Sequence, residues 1–282
     1  LKRIIKIPLR VNLMQSYQKN APTPPKLRHS LSELPRAAIE GQALLLSLPL
    51  LRSAAKGDKH PVLIVPGFGG GDGSTLLLRK WLTNQNFASK TWDCGRNMAT
   101  YRLRSIADAL NFRQEMLAKL HRRVEQLYAE YDRKISLIGW SLGGLYVDEL
   151  AQECPERIRQ VITLGAPHGD PRGTAAWSLM QRVYRGKLSD PDLERGIAAW
   201  QNSGEPKPRA VPTTVIYSPT DGLVAPKEAR LPISAGAAHI AINASHCGLT
   251  INPRVYWLIA NRLAQAEGQE SDFCMSAKPC WL

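Results

Sequence analysis

Residues 134–153 read KISLIGWSLGGLYVDELAQE, and the order of that stretch decides the fold. Ile135 to Ile138 is a short apolar run, the pattern of a strand buried on both faces. Leu142 to Glu153 follows as a helix. Between them stands Gly139-Trp140-Ser141-Leu142-Gly143, with Gly144 directly after. In this strand–turn–helix setting a sharp turn lifts the serine above the sheet edge, and the flanking glycines let the two backbones approach. The helix N-terminus also aims backbone N–H groups at any anion forming beside that hydroxyl. The turn marks Ser141 as a nucleophile.

The same rhythm extends in both directions. Strands are expected at Val62–Val65, Val161–Leu164, Thr214–Tyr217 and His239–Ile242, with helices at Ser74–Leu82, Asn111–Tyr131 and Arg254–Gln265. Apolar strands alternating with helices predict an α/β fold, a central mostly parallel sheet flanked by helices. Residues 1–13 alternate apolar and polar around Pro8 and read as an extended arm, and residues 20–30 as a proline-rich linker. A helix is expected from Ser32, acting as N-cap with Pro35 in the first turn, toward Pro49. Its leucine-rich face needs something to cover it. Between Pro171 and Pro212 the rhythm breaks for about 40 residues, a length typical of lids. Two amphipathic pieces, around Trp177 to Tyr184 and Leu193 to Trp200, suggest a helical cap there. The expected organisation is a basic arm and helix (1–58), a catalytic domain (59–266, cap about 171–212) and a tail (267–282).

Composition sets limits around this reading. Of 282 residues, 44% are hydrophobic and 22% charged, which excludes dominant disorder. No apolar run approaches the length of a membrane span; the longest candidate, Ala43 to Leu51, is interrupted by Ser47 and Pro49. Of the net charge of +13, residues 1–60 supply +8, from 11 basic and 3 acidic side chains. Such a segment suits an anionic membrane surface, so peripheral membrane contact through the arm is expected as a partner interaction. Nucleic acid is not, since no zinc-finger spacing, RNP-type motif or aromatic platform accompanies the charge. The five cysteines form no CxxC pair, although Cys274 and Cys280 have the spacing to bridge. The first 13 residues lack the apolar core and cleavage site of an export signal, which favours a cytoplasmic location.

A nucleophilic serine needs a base, and the base needs an acid to orient it. His246, in SHCGLTINP, lies in a loop between the last strand and the last helix, where it can reach the sheet's carboxyl edge. His168, in GAPHGD, and His239, in an apolar run, remain as alternatives. Asp221 follows the strand TTVIYS in the turn SPTDG, projecting over the same edge. The expected order is Ser141, Asp221, His246. In HPVLIVPGFGGGDGS (60–74) the strand gives way to a glycine-rich turn, which supplies the backbone N–H of Phe68 beside that of Leu142 as an oxyanion hole. The glycines fit neither GxxxxGK[ST] nor GxGxxG, so a phosphate cradle is excluded. No HExxH or carboxylate–histidine cluster supports a metal, and no cofactor is expected.

These pieces resemble the α/β-hydrolase superfamily from about residue 60 to 266. VLIVPGFGGGDGST, the GRN of CGRNM, SLIGWSLGG, VITLGAPHGDPR, YSPTDGLV and SHCGLTINP are similar to a group of bacterial lipase- or esterase-like hydrolases. That resemblance implies a serine nucleophile, an acid and a histidine at Ser141, Asp221 and His246. It also implies cleavage of a small-molecule or lipid carboxylic ester without a cofactor. Many lipases carry His-Gly at the oxyanion turn where this chain has Pro66-Gly67; the donor is a backbone N–H, so the hole survives the change. An acyltransferase or thioesterase would use the same residues. A membrane-surface or partner-binding protein on a hydrolase scaffold is the alternative of another class.

Overall fold

The structure, a computed structural model, describes residues 22–100, 106–175, 177 and 208–268. The alternating arm, most of the expected cap (176 and 178–207) and the tail with Cys274 and Cys280 lie outside the described residues. Six strands form one all-parallel sheet: β1 (Pro61–Val65), β2 (Ala88–Lys90), β3 (Ile135–Trp140), β4 (Ile158–Leu164), β5 (Thr213–Tyr217) and β6 (Ala238–Ala241). Their order is β2-β1-β3-β4-β5-β6, so β1 and β3 are neighbours and their carboxyl ends open on common ground.

Both faces of the sheet are covered because alternate strand residues point to opposite sides. Val62 and Ile64 of β1 join Ile138, Ile162 and Ile216 under helices α1 (Leu27–Leu51), α2 (Leu76–Asn84) and α5 (Pro253–Leu263). Leu63 and Val65 face the other way, with Ile135, Leu137 and Val161, under α3 (Ile106–Tyr131) and α4 (Leu142–Glu153). Each such aliphatic side chain contributes roughly 1.5–3 kcal/mol on burial. The continuous apolar runs are thus accounted for.

The structure adds one strand and corrects one helix. β2 is an edge strand of three partly exposed residues, Ala-Ser-Lys, which carries no apolar signal. The N-terminal helix starts at Leu27, inside the expected linker, and Ser32 is not its cap. Lys26 occupies that position without a side-chain bond, and Ser32 Oγ donates to the His29 carbonyl at 3.1 Å. Pro35 and Pro49 therefore sit inside α1. Its leucines are covered only in part: Leu44 and Leu51 enter the core, whereas Leu31, Leu34, Leu45 and Leu46 stay exposed. No described helix is long and apolar enough to cross a membrane.

Candidate active site

β3 ends at Trp140, α4 begins at Leu142, and Ser141 between them takes φ 52° and ψ −125°. A non-glycine residue pays about 1–3 kcal/mol for such a conformation, so the packing around it must hold it there. Ser141 N–H donates to Leu164 O at 2.9 Å, which ties the turn to β4. On the other side, Gly143 packs on the end of β1. A Cβ there would lie 2.5 Å from Val65 O and 2.6 Å from Pro66 O. Only glycine admits that approach, and the approach seats the start of α4 against the β1 turn.

That turn runs on to Phe68. A Cβ on Gly67 would lie 3.0 Å from Ser141 Cβ, so the Gly67–Phe68 segment borders the serine. Asn97, fully buried, fastens it. Its side-chain amide donates to Pro66 O at 2.9 Å, its N–H to Gly70 O at 2.7 Å, and its carbonyl accepts from Gly69 N–H at 2.8 Å. Reading the residues one by one gave Asn97 no role; the only signal was the GRN stretch quoted for its resemblance.

Asp221 and His246 meet at the same edge of the sheet. Asp221 Oδ2 lies 2.7 Å from His246 Nδ1, and both residues are buried. The remaining carboxylate oxygen, Oδ1, accepts from Leu223 N–H and Val224 N–H at 2.8 Å each, which fixes the acid's orientation. Trp140, directly before the serine, donates from Nε1 to His246 O at 3.1 Å and lies 5.9 Å from the imidazole centroid. The Ser141 turn thereby grips the histidine loop. A bond from Ser141 Oγ to His246 is not among the hydrogen bonds of the described residues, and such contacts often tighten only when substrate binds.

The other histidines are held elsewhere. The His168 side chain is buried, with Nε2 3.2 Å from Thr163 Oγ1; burial first, then the charges of Arg209 and His239, push its pKa down to about 3. A ring that weakly basic is a poor proton acceptor. His239, on β6, accepts from Leu231 N–H at 3.2 Å. Cys247, next to His246, has its thiol pKa raised by burial and by Glu33, Asp221 and Glu40, so it stays protonated rather than competing as a nucleophile. No cluster of metal-ligating side chains occurs among the described residues.

Residues 95–171, which include the turn at Ser141, match an uncharacterised protein family (UPF0227). No curated protein sequence matches the chain. Among solved structures, Aspergillus fumigatus lipase B aligns at 18% identity and TM-score 0.53, over 78% of this chain and 57% of that one. This chain thus spans little more than half of the fungal enzyme. A structure from the metagenome-derived lipolytic enzymes LipS and LipT aligns at 18% identity and TM-score 0.52, over 74% and 93%. Paleococcus ferrophilus monoacylglycerol lipase aligns at 16% identity and TM-score 0.51, over 75% and 96%. With the sheet order and the turn at Ser141, these similarities establish an α/β-hydrolase fold.

Proposed function

We propose that this chain is a serine hydrolase that cleaves carboxylic esters through an acyl-enzyme on Ser141. The observation that carries the reading is the buried Asp221–His246 pair, gripped by the residue preceding a serine on a positive-φ turn. Ser141 Oγ attacks the carbonyl carbon as His246 Nε2 takes its proton. Asp221 holds the other ring nitrogen as the donor and stabilises the imidazolium. The oxyanion is received by Phe68 N–H and Leu142 N–H; one such donor is worth roughly 2.7–4 kcal/mol in a water-poor site. The imidazolium then protonates the departing alkoxide, and a water activated by His246 releases the acid.

An apolar acyl group is supported by the rim. Phe68 and Leu223 follow β1 and β5 at the carboxyl edge, Met98 adjoins the residue that fastens the Phe68 turn, and all three are exposed. The test is hydrolysis of p-nitrophenyl esters of increasing acyl length by wild type and Ser141→Ala. Turnover by wild type that the variant loses supports the reading, and the length optimum sizes the acyl site. Equal activity in both proteins rejects Ser141 as the nucleophile.

A further inference from the structure

Helix α1 precedes every described strand in sequence, yet one of its faces ends on the two loops that carry the acid and the base. Ser30, Glu33, Arg36 and Glu40 recur at helical spacing, so they share that face. Glu33 is 5% exposed. Its Oε1 accepts from Gly222 N–H at 2.7 Å, the residue after Asp221, and from His246 N–H at 3.0 Å, the base itself. Its Oε2 accepts from Cys247 N–H at 3.3 Å. One carboxyl group therefore bridges the backbones of both loops.

The neighbours on α1 grip the same two loops further out. Ser30 Oγ donates to Gly222 O at 2.6 Å, and the Arg36 guanidinium donates to Thr220 O and Oγ1 at 2.7 Å each. Glu40 accepts from Ser245 N–H at 2.8 Å and from Ser245 Oγ. The packing is close enough to dictate residue type. A Cβ on Gly222 would fall 2.5 Å from the His29 carbonyl, and one on Gly248 1.5 Å from Glu40 Oε2. Each loop thus presents a glycine to α1, within two residues of Asp221 or His246.

We propose that Glu33 is a positioning residue that sets the distance between Asp221 and His246, with Arg36 and Glu40 steadying the two loops. This rests on the ester-hydrolase reading for its kinetic consequence but not for its geometry. Three backbone N–H groups converge on the Glu33 oxygens, and removing the acceptor leaves those of Gly222 and His246 buried and unpaired. The loops then relax independently, and a displacement near 1 Å at reacting groups costs about 10²-fold in rate.

The test compares wild type, Glu33→Ala and Glu33→Gln in the full chain, after thermal melting has shown which variants fold. Two readouts are taken. The first is the split between kcat and KM on an ester substrate. The second is the far-downfield proton NMR signal of His246 Nδ1–H bonded to Asp221, assigned with His246→Ala, which needs no turnover. Expected for Glu33→Ala is a kcat loss of about 10²-fold with KM little changed, together with loss of the downfield signal. Glu33→Gln keeps an acceptor for Gly222 and His246 but turns a donor toward Cys247 N–H, and loses about tenfold. A folded Glu33→Ala with unchanged kcat and an intact signal overturns the proposal. Where Glu33→Ala does not fold, Glu33→Gln decides by the same readouts. If wild type hydrolyses no ester but only wild type shows the signal, positioning stands and the ester reading falls.

Discussion

At the amino end of the sheet, Asp58, His60 and Ser136 form a chain of hydrogen bonds more complete than the one around Ser141 at the carboxyl end. His60 Nδ1 meets Asp58 Oδ1, and His60 Nε2 lies 3.1 Å from Ser136 Oγ. The residue types are those of the candidate site, but the surroundings are not. Ser136 is fully buried within β3, in line with its neighbours, and His60 is 1% exposed. No substrate reaches that hydroxyl. This trio ties the entrance of β1 to β3 and satisfies a buried imidazole, as buried polar groups require. Ser141, by contrast, stands on a strained positive-φ turn at the carboxyl end of β3, with the Gly67–Phe68 segment beside it and only part of its surface covered. Connectivity alone does not make a nucleophile; the backbone that exposes it and the donors that receive the oxyanion do.

Four experiments test this contrast, from the largest effect to the smallest. Ser141→Ala is expected to lower ester turnover by about 10⁴-fold or more, whereas Ser136→Ala leaves kcat unchanged. A collapse of turnover in a folded Ser136→Ala would reverse the assignment of the two ends. Asp221→Asn keeps an acceptor for Leu223 and Val224 but turns its amide toward His246 Nδ1, fixing the wrong tautomer. Steady-state kinetics should show a loss near 10⁴-fold, against none for Asp58→Asn. Asn97→Ala frees the turn that carries Phe68. A kcat loss of about tenfold at constant KM is expected, and an equal rise in KM would move Asn97 from the oxyanion hole to substrate binding.

The last and smallest effect is one of pH and stability, and it has opposite signs at two carboxyls, the exposed Asp58 and the buried Asp148. Burial would raise Asp58, but hydrogen bonds from Arg133 and His60 outweigh it and hold its carboxyl below the usual range. Its contribution is present above the ordinary 3.8 and disappears as the pH falls below it. Asp148, on α4 after the Ser141 turn, is pushed up to about 6 by burial, against the pull of Arg209 and with the push of Glu149. There the folded state holds the proton more tightly, so stability declines as pH rises from 3.8 to about 6. Denaturant melts across that window should slope less for Asp148→Asn than for wild type. Parallel curves would show that Asp148 does not titrate on folding.

What was legible in the sequence is what lies close together along it. The turn at Ser141 is bounded by its own strand and helix, and both elements fall where the local pattern placed them. Asp221 and His246 each follow a strand, and that position brings their side chains together at the sheet's carboxyl edge. The missing pieces depend on distant partners. α1 was expected to start at Ser32 because Pro35 fits a first turn, yet an interior proline costs a helix about 3 kcal/mol and is tolerated here. The grips of Ser30, Glu33, Arg36 and Glu40 on loops beyond residue 219 hold the helix through it. None of those contacts has a local signature, so nothing near Glu33 in the sequence sets it apart from the other two acidic residues of the first 60. β2 escaped notice because an edge strand of Ala-Ser-Lys is short and polar, as edges that avoid mispairing are.

Glu33 and His246 are 213 residues apart. A ribosome releases α1 long before the histidine loop it will hold. A nascent chain that stops short of residue 246 therefore has the serine turn and the Phe68 turn but lacks the imidazole that pairs with Asp221. Contacts closed over such a span are the slow ones to form. The pairing of Asp221 with His246 thus waits for synthesis to pass residue 246, and a helix made well before serves as a latch for the loop that follows.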